Sequence, residues 1–274
     1  MKNKKPFDLF LSIITYGAAI IAVSVLAFLI GYVVIKGAPN LKWSLFSLEY
    51  TSENVSVVPA IITTVEMTFL SLIIAVPLGV FTAIYLVEYA KRGNKIVGLV
   101  RVTAETLSGI PSIVYGLFGM LFFVTALGWG FSLIAGAFTL SIMILPLIMR
   151  TTEEALKSVP DSYREGAFGL GAGRLRAVFK IVLPAAVPGI LSGIILAIGR
   201  IVGETAALIY TAGTVAQTPK GLTDSARTLS VHMYALSSEG LHTNEAYATA
   251  LILLVMVIGI NAIASYTAKK LAKG

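Results

Sequence analysis

The residues of this chain best suited to chemistry are charged groups stranded in apolar sequence. Arg200 and Glu204 stand in Gly199-Arg200-Ile201-Val202-Gly203-Glu204-Thr205, inside an otherwise apolar segment. Glu66 lies alone in a second such segment, and Arg101 and Glu105 stand at the start of a third. An ionisable side chain at the centre of a bilayer costs roughly 2.5–3.5 kcal/mol on insertion scales, so such groups mark substrate or ion paths. Arginine suits an oxyanion because its guanidinium is planar, permanently charged and able to donate two parallel hydrogen bonds. The four-residue spacing puts Arg200 and Glu204 on one helix face. There Glu204 would compete for the guanidinium and keep anion binding weak enough for passage; the plainer reading is that the two only neutralise each other. Glu66 is expected to pack against or gate Arg200, or else to stay protonated where it is. Arg101 and Glu105, near the headgroup level, read as an interfacial pair. Ser108, Ser112, Tyr115, Thr139 and Ser141 offer further polar groups to the same path, although Ser and Thr in membrane helices ordinarily bond a backbone carbonyl.

The elements that hold these residues follow from composition. Charged residues make up 13% of the 274, about half the share usual in a soluble domain, so the chain cannot cover a water-facing globule and needs lipid as solvent. Its +7 charge sits between apolar blocks with no aromatic stripe, which speaks for membrane topology and against nucleic acid. The absence of cysteine excludes disulfides, thiolate chemistry and zinc–sulfur sites. His232 and His242 are too few for a histidine-built metal site, so neither a metal nor a cofactor is expected, and no nucleophile suits an intramembrane enzyme.

Six apolar segments are long enough to span, at about 10–35, 60–87, 106–127, 131–149, 185–210 and 246–267. In lipid each satisfies its backbone only as a helix, which predicts an all-α integral membrane bundle of six transmembrane helices. The first apolar run follows Lys2, Lys4 and Lys5 but is too long for a cleavable leader. Sixteen of the 21 Lys and Arg residues fall on the side of the N-terminus, and Lys36, Lys42, Lys220 and Arg227 on the other. This bias places both termini in the cytoplasm. Two polar loops, 37–58 and 212–245, then face outward, the second holding a short surface helix near 228–236. Pro77, Pro111 and Pro146 mark expected kinks. The pairs Gly189/Gly193 and Gly199/Gly203 have the spacing that lets membrane helices approach closely.

The inner stretch 150–184 is too structured to be a tether. Pro160-Asp161-Ser162 starts a helix, and Ser162 and Glu165 have capping-box spacing. Gly169, Gly171 and Gly173 end that helix, and an amphipathic run over 175–182 leads to Leu183-Pro184.

Here the chain resembles a known family. Glu165-Gly166-Ala167, Gly171, Ile181 and Leu183-Pro184 reproduce the spacing of the E-A-A…G…I-x-L-P signature of binding-protein-dependent ABC importer permeases. The one departure is Gly166, where alanine is usual. The resemblance implies a type I importer bundle in which this stretch is a coupling helix docked into an ATP-binding subunit. The chain has no G-x-x-x-x-G-K-[ST] pattern, so it is expected not to be an enzyme, with ATP hydrolysed by a partner. Gly199-Arg200 with Gly203-Glu204-Thr205-Ala206-Ala207-Leu208-Ile209-Tyr210-Thr211-Ala212 is similar to the PstA family of phosphate permeases, as are Ser108 to Gly116 and Leu145 to Leu156. Ala207 departs from that family's proline, which predicts a straighter helix there.

The resemblance covers about 60–268 and divides the chain into a first helix and outer loop (1–59), a permease core (60–268) and a basic tail (269–274). It further implies a bacterial inner-membrane complex with a PstC-like permease, a PstB-like ATPase dimer and a PstS-like external phosphate-binding protein. A permease for another oxyanion, such as molybdate or sulfate, would share the coupling stretch. A proton-coupled carrier using Glu66 and Glu204 as a relay would not need it.

Overall fold

The structure is a computed structural model that describes residues 6–91 and 93–271. Lys2, Lys4, Lys5, Arg92 and the last three residues of the basic tail, Lys273 among them, lie outside them. All regular elements among the described residues are helical: α1 (Pro6–Gly37), α2 (Val58–Ile84), α3 (Lys95–Ser108), α4 (Ser112–Gly119), α5 (Leu133–Ser158), α6 (Asp161–Gly169), α7 (Arg174–Ala177), α8 (Leu183–Val202), α9 (Ala206–Ile209), α10 (Leu229–Glu239) and α11 (Thr243–Leu271), with short 3-10 turns between α1 and α2. Wider π turns extend α2 (Tyr85–Tyr89) and α4 (Met120–Ala126) and join α7 to α8 (Val178–Val182).

Five continuous helices are long and apolar enough to cross a membrane, and a sixth crossing is broken. The core lies where α2, α5 and α8 meet. Met67, Leu140, Ile144, Ile148 and Ile201 are fully enclosed there. Alpha-helical approach is tightest between α5 and α8: a methyl group on Gly193 would collide with Thr151, and one on Gly189 would come within 2.7 Å of the Ala155 Cβ. These two glycines therefore serve the close packing their spacing implies. Gly199 and Gly203 do not, since a Cβ on Gly199 meets open space and one on Gly203 reaches only its own helix's backbone. Helix α1 touches the rest through α11 and is otherwise exposed, as a lipid-facing helix must be.

Four local expectations give way. The segment 106–127 is not one helix: α3 and the α4 crossing meet at 103°. Pro111 lacks an N–H and forces Ile110 out of helical geometry, and the Tyr115 hydroxyl donates to the Leu107 carbonyl across the corner (2.7 Å). The segment 185–210 is also broken, since α8 stops at Val202 and α9 begins at Ala206, so the straightening expected at Ala207 does not occur. The capping box is not formed; Pro160 precedes α6 and no side chain caps it. Finally, α10 is not a surface helix, because Leu229, Ser230, Val231, His232 and Leu236 are buried. The chain runs through Pro77 and Pro146 without leaving the helix.

Candidate functional site: an unpaired arginine and an anchored docking helix

Arg200 lies in the last turn of α8, half-buried, where the negative end of the helix dipole favours a cation. Because the helix ends at Val202, Glu204 does not share its face. The Glu204 carboxylate instead accepts the Ala207 N–H (3.0 Å) and so caps α9, while its carbonyl accepts from the Ser230 hydroxyl (2.6 Å). Arg200 forms no ion pair with any carboxylate among the described residues. It is left as a fixed cation whose field reaches Tyr115 at the α3–α4 corner. Beside it α4 and α9 are nearly in backbone contact, since a Cβ on Gly116 would fall 2.8 Å from the Ala207 Cα.

Glu66 makes no ion pair with Arg200. It lines a cavity of about 260 Å³ with Lys220, Leu222 and Leu133, and its Oε2 is buried without a partner. Arg101 turns away from Glu105 and pairs with Glu153 on α5 (2.8 Å), which also accepts from Lys157 (2.6 Å). The hydroxyls of Ser108, Thr139 and Ser141 bond carbonyls one turn back, as membrane helices ordinarily arrange them.

At the other end of the bundle, residues 150–158 belong to α5, and the projecting piece is α6 with its turn. Leu170, Gly171 and Ala172 close α6 by a Schellman motif: the Ala172 N–H bonds the Ala167 carbonyl (3.0 Å) and the Gly171 N–H bonds that of Phe168 (2.9 Å). Gly171 has φ +81°, where a side chain is strained although space is open. Glu165 and Gly166 are exposed and Ala167 is buried. Beyond the π turn, Leu183 and Pro184 open α8, proline standing where its missing N–H costs nothing.

What fixes α6 is Arg164, which sequence reasoning had only counted among the positive charges. Its guanidinium bonds Glu88 at the end of α2 (Nη2–Oε1 2.7 Å, Nε–Oε1 3.2 Å), the last carbonyls of α5 at Leu156 and Val159 (both 2.9 Å), and Asp161 (3.2 Å). Arg164 and Glu88 are 16% and 8% exposed. Glu88 lies 76 positions away, so nothing local announces the pair.

This architecture, a bundle of membrane-crossing helices with one helix pinned across the ends of two others and an unpaired cation in the last turn of α8, fits a transport permease. The chain belongs to the family of binding-protein-dependent transport system inner membrane components, whose sequence profile matches residues 75–273. Among individual relatives, it is 34% identical over 239 residues to the probable ABC transporter permease protein YqgI of Bacillus subtilis, covering 82% of this chain and 81% of that protein. It is 42% identical over 208 residues to the phosphate transport system permease protein PstA 2 of Mycobacterium bovis, covering 76% and 68%. In three dimensions it resembles a chain of a bacterial alginate ABC transporter solved with an alginate pentasaccharide-bound periplasmic protein (TM-score 0.72, 18% identity, 97% and 96% covered), which bears on the fold alone.

Proposed function

We propose that this chain is the permease subunit of an ATP-driven importer of inorganic phosphate and forms half of the translocation pathway. The observation that carries the reading is Arg200: a half-buried guanidinium at the end of α8, unpaired with any described carboxylate, where the chain leaves the helix before α9. The PstA-named relative supports phosphate as the cargo. A permanent cation with a forked donor set suits a phosphate oxyanion, and the helix break keeps Glu204 occupied with α9 rather than with Arg200.

In this reading α6 faces the cytoplasm with both termini, in the bacterial inner membrane, and is the coupling helix. Gly171 and Ala167 shape it, and exposed Glu165 and Gly166 present it to a PstB-like ATPase that works as a dimer and hydrolyses the ATP. A homologous PstC-like permease completes the pathway. A PstS-like protein delivers phosphate from outside, onto the end formed by loops 38–57 and 210–228 and α10. Nucleotide closure moves α6, Arg164 carries the motion to α2 and α5, and the helices around Arg200 shift. Glu66 lies on the outer side of that path, beside Lys220.

The test is ATP-driven uptake of labelled phosphate by the reconstituted complex, with sulfate and molybdate as competitors. Arg200→Gln is expected to abolish uptake while the complex still assembles. Uptake at the wild-type rate by that variant would remove Arg200 from the path, and preferential uptake of sulfate or molybdate by the unaltered complex would replace phosphate as the cargo.

A further inference from the structure

Far from α6, a second arginine is buried without a partner. Arg227 is 6% exposed, its Nε and Nη2 are shielded from solvent and bond nothing, and it forms no ion pair among the described residues. Its guanidinium lies 5.0 Å over the ring of Tyr50, and the imidazole of His232 meets the same ring edge-on at 6.0 Å. His232 is 1% exposed and its Nε2 also lacks a partner. Burying donors and a charge without acceptors is costly, and a cation–π contact satisfies the charge only in part.

The surroundings are built to hold this arrangement. Val55 has φ +45°, the one described non-glycine residue at positive φ. A β-branched residue there is strained by about 1–3 kcal/mol, and such strain persists where packing over-determines it and clusters at functional sites. Val55 is buried with Leu236 and Ala246 against Tyr50. Asn54 secures the loop by accepting from the Thr51 and Ser56 N–H groups and donating to the Glu49 carbonyl. Burial and the nearby Arg227 charge push the imidazole down to about 3. It is therefore neutral, and with its proton on Nδ1 the unpartnered Nε2 offers a lone pair. Just after Arg227, the first turn of α10 adds the positive end of a helix dipole.

We propose that Arg227, His232 and Tyr50 form a second oxyanion station, selective for a protonated oxyanion such as hydrogen phosphate. Two guanidinium N–H groups donate to the anionic oxygens, and His232 Nε2 accepts from the P–OH. Sulfate, which carries no proton at neutral pH, leaves that lone pair facing an oxygen. Tyr50 is the cover. One side of it lies on Arg227, and it also lines an open cavity of about 810 Å³ with Lys220, Asp224 and Glu49. Opening requires Tyr50 to swing, which joins the cavity to the two unpartnered donors. The inference rests on the phosphate reading above, and it adds a site separate from Arg200.

The experiment measures equilibrium binding of radiolabelled phosphate to the purified permease complex without its binding protein, alongside uptake by the complete system. Arg227→Gln is expected to remove one phosphate site that Arg200→Gln leaves in place. His232→Phe replaces a buried, unpartnered nitrogen by an apolar ring of similar shape, so the protein keeps its fold. It is expected to cut the preference for phosphate and arsenate over sulfate roughly tenfold to a hundredfold. Binding and selectivity unchanged in both Arg227→Gln and His232→Phe would mean that the cluster holds only water and would overturn the station. So would loss of binding in Arg227→Gln that goes with lowered complex abundance in both Arg227→Gln and Arg227→Lys, if His232→Phe keeps full selectivity. A complex that takes up no phosphate at all would instead defeat the proposed cargo, which separates the two failures.

Discussion

Arg164 and Arg200 are both partly buried, yet they live under opposite rules. Arg164 spends its donors on Glu88, Asp161 and two α5 carbonyls, whereas Arg200 is paired with no described carboxylate. A guanidinium with every donor engaged is a fastener; it holds helix ends in register and has nothing left for a ligand. One whose charge is uncompensated is costly to keep unless something transient answers it. Under the proposed function, the difference separates mechanics from cargo within one residue type.

The contrast can be broken most severely at Arg200, where Arg200→Gln should lower phosphate uptake by at least about a hundredfold with the complex still assembled, as judged by uptake and by co-purification. Arg164→Ala comes next. Removing one partner of a buried ion pair costs about 3–5 kcal/mol, and two α5 carbonyls lose their donor as well. The expected result is loss of co-purified ATPase, or ATP hydrolysis without uptake, together with a lower unfolding temperature; tight coupling in this variant would end the fastener reading. Gly171→Val should act through the backbone, forcing a β-branched residue to positive φ at a cost of about 1–2 kcal/mol and unwinding the Schellman turn. Its signature is partial uncoupling, read as the ratio of ATP hydrolysed to phosphate moved. The smallest effect belongs to Gly166→Ala. A Cβ there meets nothing, and alanine for glycine in an exposed helix gains roughly 0.5–1 kcal/mol. Uptake should hold or rise slightly, and a marked loss would show that the docking groove demands glycine.

The sequence was most informative where hydropathy and local signals act alone. Length and apolarity located the crossings, and the Glu165-to-Pro184 spacing marked the one structured stretch at the α6 end. It was least informative where a few residues turn the chain without changing its polarity. Ile110-Pro111 is as apolar as the segments it divides, so the 103° corner looks like a continued helix. Likewise Gly203 and Glu204 read as helical until Glu204 is seen to cap α9. Ser162 and Glu165 had the right spacing for a box, but Pro160 takes the N-cap position two residues earlier. The Arg164–Glu88 and Arg227–Tyr50 contacts join positions remote in sequence, and no periodicity encodes them.

The bonds of Arg164 have a mechanical consequence. Glu88 at the end of α2 and the Leu156 and Val159 carbonyls at the end of α5 all meet on one guanidinium of α6. Three helix ends therefore share a single joint, and α6 cannot be displaced from one of them without loosening its hold on the other.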